Sequence, residues 1–245
     1  VSSFTDKGLV LSAIPFKESD RMIRILSRRN GIISAIVPGA GKMSSRNAAC
    51  ARPGVYASLT FSLSHSFHYV SESQVIESFM GIYESIEALT AMAHILEITS
   101  DLAINPENAN DIFPYVIYSL HALSSNRRDY RLIVSVFEWK IMDVVGFSVD
   151  ITPARMNSDP GHVFSFTSCS IRTGRCHTAS RDELALLPGT YNALSYIRSA
   201  TAEKMFSFHV TEDILDQLTY ISRKYLCERL DKKYCKLDML DQKPF

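Results

Sequence analysis

The feature that most constrains this chain is a change in hydrophobic period near residue 77. Before it, apolar residues alternate as on a strand that buries one face. After it, they recur every three to four residues, as on a helix that buries one stripe. A chain that changes period once, early, is expected to place a small all-β unit ahead of a helical one.

The first 75 residues read as five short strands. Gly8–Ile14 is apolar and extended, and Asp20–Arg29 alternates with a period of two. Asn30-Gly31 follows, a strong hairpin signal because both residues tolerate positive φ, and Ile32–Val37 returns as the partner strand. Val55–Leu63 and Phe67–Gln74 complete the set. Five strands in this length fit a small closed barrel of the OB-fold kind.

Past residue 77, Ile82, Ile86, Leu89, Ala93 and Leu96 lie at helical spacing. Asp111–Leu123 reads as a second helix with Pro114 in its first turn, and Arg127–Val145 as a third, stopped by Gly146. Residues 147–180 lose periodicity and are rich in Ser, Thr, Pro and Gly, which marks an irregular insertion. Ser180-Arg181-Asp182-Glu183 has the form of a capping box that restarts a helix. Asn192–Ser199 and Thr211–Arg229 are further helices, with Thr211 as N-cap. The expected architecture is α+β: an N-terminal OB-fold barrel over 1–76, then a helical domain over 77–245 interrupted by the insertion.

Charge narrows the function classes. The net charge is zero, but the sorting is uneven. Residues 1–60 hold nine Lys/Arg against three Asp/Glu, while 61–124 hold eight acids and no Lys or Arg. A basic front end concentrates polyanions whatever the total; the two blocks could also attract each other. Arg24, Arg28, Arg29, Lys42, Arg46 and Arg52 are the candidate phosphate contacts, with Lys42 and Arg46 on a polar loop able to follow a backbone. Tyr56, Phe61, Phe67 and Tyr69 are candidate base-stacking rings, barrel core being the equal alternative for each.

Other signals point away from chemistry. Pro38-Gly39-Ala40-Gly41-Lys42-Met43-Ser44 lacks the first glycine and the Ser/Thr after lysine that a phosphate-binding loop needs. His65 and His68, three apart on a strand, point to opposite faces. No nucleophile elbow or His-Glu-x-x-His motif is present, so the chain is not expected to be an enzyme. Five scattered cysteines suggest reduced thiols in a cytosol. No apolar run is long enough to span a bilayer and no secretory signal is expected. Cys169, Cys176 and His177 are the only zinc-ligand candidates, and without a matching second pair no cofactor is expected.

The order of short motifs resembles a known family. Gly8-Leu9-Val10-Leu11, Glu18-Ser19-Asp20-Arg21, Ile25-Leu26-Ser27, Asn30-Gly31 and Gly39-Ala40-Gly41-Lys42 resemble the opening of RecO proteins. Arg52-Pro53 is similar to that family's step into its next strand. Leu187-Pro188-Gly189, Ala193–Ile197, Glu203–Phe208 and Lys236–Leu240 resemble its late helices and closing segment. The resemblance implies a recombinational repair mediator of the bacterial cytoplasm and nucleoid. Such a protein would bind single- and double-stranded DNA and anneal complementary strands. With RecR it would help load RecA onto strands coated by single-strand DNA-binding protein. It also suggests Arg127, Arg128 and Arg131 as a site for the acidic tail of single-strand DNA-binding protein.

One departure is plain. Many RecO proteins carry two Cys-x-x-Cys pairs in the insertion; the corresponding positions here are near Met156, Asp159, Thr173 and Cys176, and only Cys176 is a cysteine. The insertion is therefore expected to be a degenerate zinc-finger-like element held by packing. The competing class is a protein-interaction adaptor whose barrel no longer holds DNA tightly, since fold alone does not fix function.

Overall fold

The computed structural model describes residues 3–42, 45, 47–64, 67–151, 161–175 and 182–240. The chain forms two compact units, Val1–Arg127 with Cys235–Phe245, and Arg128–Tyr234.

The first unit is built on five strands: β1 (Ser3–Phe16), β2 (Asp20–Ser27), β3 (Gly31–Val37), β4 (Tyr56–Ser64) and β5 (Phe67–Glu77). They close in the order β1-β2-β3-β5-β4. β1 is long enough to serve two neighbours, pairing with β4 through Ser3–Leu9 and with β2 through Gly8–Phe16. A bulge between Val10 and Ser12 bends it where it changes partner. A short parallel contact, Ala35 to His68 and Ile36 to Tyr69, closes the ring. The inward set is the one that alternation selects: Val10, Ile23, Ile25, Leu59, Phe61 and Val70 among others, with Cys50 and Ala51 as a plug from a 3-10 turn. Phe61 is 1% exposed, so of its two readings the core one holds.

The β2–β3 connection differs from a two-residue Asn-Gly turn. Ser27 pairs with Gly31, leaving a three-residue loop of Arg28, Arg29 and Asn30, and of the Asn-Gly pair only Gly31 takes positive φ (70°). A Cβ on Gly31 would also sit 3.3 Å from the backbone of Pro106.

Two helices, α1 (Ile86–Leu102) and α2 (Pro106–Ser124), complete this unit. They pack on β1, β2 and β3, which explains why Leu26 and Ile36, on the outer side of the barrel wall, are as buried as its interior. Ser85 caps α1 and Asn105 caps α2 through the amides of Ala88 and Asn108. Pro106, not Pro114, occupies the first turn of α2; the helix starts five residues before Asp111, and Pro114 lies inside it. A further 3-10 turn, Lys236–Met239, returns to α1, where Lys236 pairs with Glu97 at 3.3 Å.

The second unit holds α3 (Tyr130–Val144), α4 (Pro188–Ser199) and α5 (Glu212–Leu230). As expected, Gly146 ends α3, at φ 94°; its amide and that of Phe147 satisfy the carbonyls of Asp143 and Met142. The described residues of the stretch expected to be irregular, 147–180, instead contribute three strands to a four-stranded sheet. β6 (Asp150–Ile151), β7 (His162–Ser165), β8 (Ser170–Thr173) and β9 (Glu183–Leu186) lie in the order β6-β8-β7-β9. Strands of two to four residues are too short to display a period, which is why the sequence hid them.

The expected capping box is also overturned. Glu183 begins β9, opposite Ser165, and the Asp182 carboxylate clamps the β7–β8 turn by accepting bonds from the Ser165 hydroxyl and the Thr167 amide and hydroxyl. Helix resumes only at Pro188, which suits a first helical position. Thr211 is the N-cap residue of α5, but its side chain makes no capping bond. Trp139, Phe164, Phe166 and Tyr225 form the aromatic centre of this unit. Among the described residues, no helix is long and apolar enough to cross a membrane.

Candidate nucleic-acid interface

β1 and β4 run antiparallel with Thr5 opposite Thr60, Lys7 opposite Ser58 and Leu9 opposite Tyr56. Paired residues share a face, and Ala57, Leu59 and Phe61 take the interior. Lys7, Ser58 and Tyr56 are therefore carried on the outer wall. The β2–β3 loop projects beside them, and α2 adds Asn110. Together Thr5, Asp6, Lys7, Arg28, Arg29, Tyr56, Ser58 and Asn110 line a cleft of about 570 Å³.

The loop is fixed from within. The Ser27 hydroxyl accepts the amides of Arg29 and Asn30, each at 3.1 Å, and donates its proton to Asp6 in a short bond. Asp6 also accepts the Asn30 side-chain amide at 2.7 Å and the Lys7 backbone amide at 2.8 Å. The one carboxylate of the cleft is thus occupied in holding the loop that carries the cations. Arg28 donates to Asn110 Oδ1 at 3.3 Å, and its guanidinium lies 6.0 Å from the Phe113 ring. Among the described residues, Lys7, Arg28 and Arg29 have no carboxylate in ion-pair range. Tyr56 meets Phe113 edge-on with ring centres 5.6 Å apart. Burial raises its pKa, against the opposing charge of Arg28, and Asp6 adds to the rise, so the phenol stays a neutral donor.

The six cations singled out in the sequence do not gather at one place. Arg28 and Arg29 line the cleft. Arg24 points outward from β2 and donates to Ser100 of α1 at 2.7 Å. Lys42 is exposed at the other end of the β2–β3 hairpin, on a loop tied to the β1–β2 turn by Gly41 N–H to Ser19 O and Gly39 N–H to Asp20. The eight residues of β2 separate the two ends, roughly 25 Å at strand rise. Arg52 is exposed in the connection before β4, and Arg46 lies outside the described residues. Of the candidate rings, Tyr56 lines the cleft, while Phe67 is 49% exposed elsewhere on the barrel.

Sequence reasoning missed Lys7 and Asn110. Lys7 carried a readable signal, since it stands on the outward alternation of β1. Asn110 carried none, because its place in the cleft depends on how α2 packs.

Arg127 is exposed at the end of the first unit. In the second unit, Arg128 donates to the carbonyl of Phe208 at 2.8 Å. Arg131 pairs with Asp129 at 2.7 Å, Glu212 at 2.8 Å and Asp216 at 3.2 Å. A cation at a helix start opposes the helix dipole, yet Arg131 links the beginnings of α3 and α5. The bonds to Asp129 and then Glu212, against partial burial, hold its pKa well above the ordinary value.

Cys169 sits at positive φ (51°) in the β7–β8 turn, its thiol 3.5 Å from the Phe166 carbonyl. Cys176, His177, His65, Met156 and Asp159 lie outside the described residues. Thr173, near one of the positions that the resemblance gave to cysteine, pairs with His162 on β7. Among the described residues, no group of three His, Cys, Asp or Glu is placed to hold a metal ion.

Comparison with known proteins agrees with this architecture. Residues 1–79 match the family model described as recombination protein O N terminal, and residues 83–238 match recombination protein O C terminal. A DNA repair protein RecO of Acetivibrio thermocellus is 30% identical over 236 residues, covering 95% of this chain and 94% of its own. Those of Clostridium perfringens and Clostridium acetobutylicum are 23% and 21% identical, covering 95% and 97% of both chains. With a five-stranded barrel and a helical region where the two family models fall, this chain belongs to the recombination protein O family, a family of proteins of recombinational DNA repair.

Proposed function

We propose that this chain is a recombinational repair mediator. It binds single- and double-stranded DNA, promotes annealing of complementary strands, and with RecR helps load RecA onto strands coated by single-strand DNA-binding protein. Its place of work is the bacterial cytoplasm, on nucleoid DNA. The acidic tail of single-strand DNA-binding protein is a further partner. The step it performs is non-covalent: it neutralises and orders two strands so that they can pair.

The observation that carries the DNA part of this reading is the cleft. Three cations without carboxylate partners among the described residues surround Tyr56. Phosphates supply the missing anions, and a neutral ring offers a base a sequence-tolerant face. Family membership supports the recombination part.

The test is fluorescence anisotropy of a labelled single-stranded oligonucleotide across a salt series, with strand-annealing rates measured in parallel. Arg28→Glu/Arg29→Glu should weaken binding and lower the salt slope by roughly 1.4, about 0.7 for each phosphate no longer neutralised. Wild-type binding that the variant leaves unchanged would remove the cleft from the mechanism. No wild-type binding at low salt would favour an adaptor that works through proteins alone.

A further inference from the structure

The cleft gathers its positive charge at one spot. Lys7 and Arg28 stand one step beyond Gly8 and Ser27, the end pair of the β1–β2 ladder, and Arg29 comes next in the loop. The three cationic side chains therefore start from neighbouring backbone positions. Donors around them stand unused. Among the described residues, the Lys7 ammonium, the Arg29 guanidinium and the hydroxyls of Tyr56 and Ser58 have no hydrogen-bond partner, and Arg28 engages only its Nε, with Asn110. Asp6 offsets one charge, but its oxygens are taken up by Ser27, Asn30 and the Lys7 backbone amide, so it accepts from none of these donors.

The surroundings of the cleft have the opposite character. β4 and α2, which contribute to its lining, and β5, which pairs with β4, carry no Lys or Arg. On the sheet side, Thr5 is opposite Thr60 and Thr60 is opposite Glu72; paired residues share a face, so an exposed carboxylate stands beside the lining. On the helix side, Asp111 accepts the side-chain amide of Asn110 at 3.1 Å, and Glu107 precedes Asn110 by about one helical turn; both acids are exposed. A cationic spot is thus bordered by carboxylates on two sides.

We infer that the cleft seats the phosphorylated end of a DNA strand, with Lys7, Arg28 and Arg29 around a terminal phosphate monoester and the Tyr56 and Ser58 hydroxyls donating to it. This inference rests on the DNA reading of the cleft and narrows it to strand ends. An internal phosphate brings a single negative charge, whereas a monoester brings about −1.5 to −2 at neutral pH and three free acceptor oxygens. Three clustered cations and the unused donors match the second better than the first. The border decides between one end and a run of internal phosphates. A strand that passes through must leave the cleft twice, and its phosphates then meet Glu72, Glu107 or Asp111 on elements without a cation. A strand that ends there leaves once, and its end base keeps one face unstacked for a ring such as Tyr56.

The test uses the full chain and internally labelled oligonucleotides of about six nucleotides, near the short end of what an OB-fold barrel covers. They share one sequence and carry a 5′-phosphate, a 3′-phosphate or hydroxyls at both ends. One phosphorylated form should bind about tenfold more tightly than the hydroxyl-ended strand, the effect of one added charge among charge-assisted bonds. Tyr56→Phe, which keeps the ring and removes the donor, should cut that preference about threefold. Arg28→Glu/Arg29→Glu should abolish it. Equal binding of all three strands, weakened alike by Arg28→Glu/Arg29→Glu, would overturn the end inference and leave DNA binding at the cleft standing. A preference that survives Arg28→Glu/Arg29→Glu would place the end elsewhere and overturn it too. Displacement of the phosphorylated strand by an equal concentration of a mononucleotide 5′-phosphate would assign the cleft to free nucleotides instead. No binding of any strand at low salt would overturn both readings.

Discussion

Asp6 offers a test whose sign separates two accounts of the cleft. If the cations acted only as a field, deleting the nearby carboxylate would help. Removing one negative charge about 8 Å away in water contributes roughly 0.5 kcal/mol, a little over twofold tighter binding of a polyanion. The structure argues the reverse. Asp6→Ala removes the acceptor for Ser27, Asn30 and the Lys7 amide, and with it the anchor of the loop that carries Arg28 and Arg29. Three charge-assisted bonds, discounted for exposure, stabilise the turn by about 2 kcal/mol. Freed, the loop must be ordered again on binding, and the entropy that the lost bonds had offset then costs binding up to the same ~2 kcal/mol. Net of the electrostatic gain, affinity for a single-stranded oligonucleotide should fall about tenfold, as about 1.4 kcal/mol separates decades. Anisotropy at low salt measures it, with amide hydrogen exchange at Arg29 and Asn30 as the structural readout. Asp6→Ala binding more tightly than wild type, with protection at those amides intact, would refute the positioning role.

Arg131→Met leaves Asp129, Glu212 and Asp216 together without their shared counter-charge, and should destabilise the second unit by about 1–2 kcal/mol in urea at neutral pH. Burial pushes the Asp129 carboxyl up, but bonds and charge from Arg131 outweigh it and hold the pKa below the ordinary 3.8. That contribution is complete above the unfolded pKa and is lost as pH falls through the depressed folded value, so wild type should lose stability below about pH 4 more steeply than Arg131→Met. Gly146→Ala meets no atom within 4 Å, yet must adopt φ 94°, and should lower stability by about 1 kcal/mol through backbone strain alone. A denaturation midpoint equal to wild type would show that the end of α3 reshapes freely.

The barrel was legible because its strands are long enough to alternate and because one face of each is apolar; Ile23 and Ile25 point in while Arg24 points out. The sheet of β6 to β9 was not, since two- to four-residue strands have no period to read and their pairing joins segments far apart in sequence. Asp182 shows the same limit: its position suggested a helix cap, but its partners, Ser165 and Thr167, lie 17 and 15 residues away. For the cleft, composition identified the right residue type and topology decided the location. Arg28, Arg29 and Lys42 belong to one basic segment, yet a hairpin sends its two ends in opposite directions, so closeness in sequence did not become closeness in space. Lys7 reached the cleft through β1–β4 pairing, which joins segments some fifty residues apart.

A chain of zero net charge is a poor polyanion binder only if charge is averaged over the molecule. At physiological salt a field decays over about 8 Å, far less than the length of the barrel wall, so a ligand responds to what lies within a cleft and not to the total. Within the first unit the cleft carries three cations whose one carboxylate neighbour in the lining is occupied in holding the loop, while the eight acids of residues 61–124 are spread along the segment from β5 to α2. Neutrality then has a physical reading. A uniformly basic protein would bind any stretch of duplex through nonspecific phosphate contacts over its whole surface. Here an acid borders the cleft: Glu72 pairs with Thr60, which pairs with Thr5 of the cleft lining, so the basic footprint is confined on that side. Glu72→Lys should therefore increase oligonucleotide affinity and steepen its salt dependence, by about 0.7 in slope if the new lysine meets one phosphate. Affinity and slope equal to wild type in the anisotropy assay would defeat the argument.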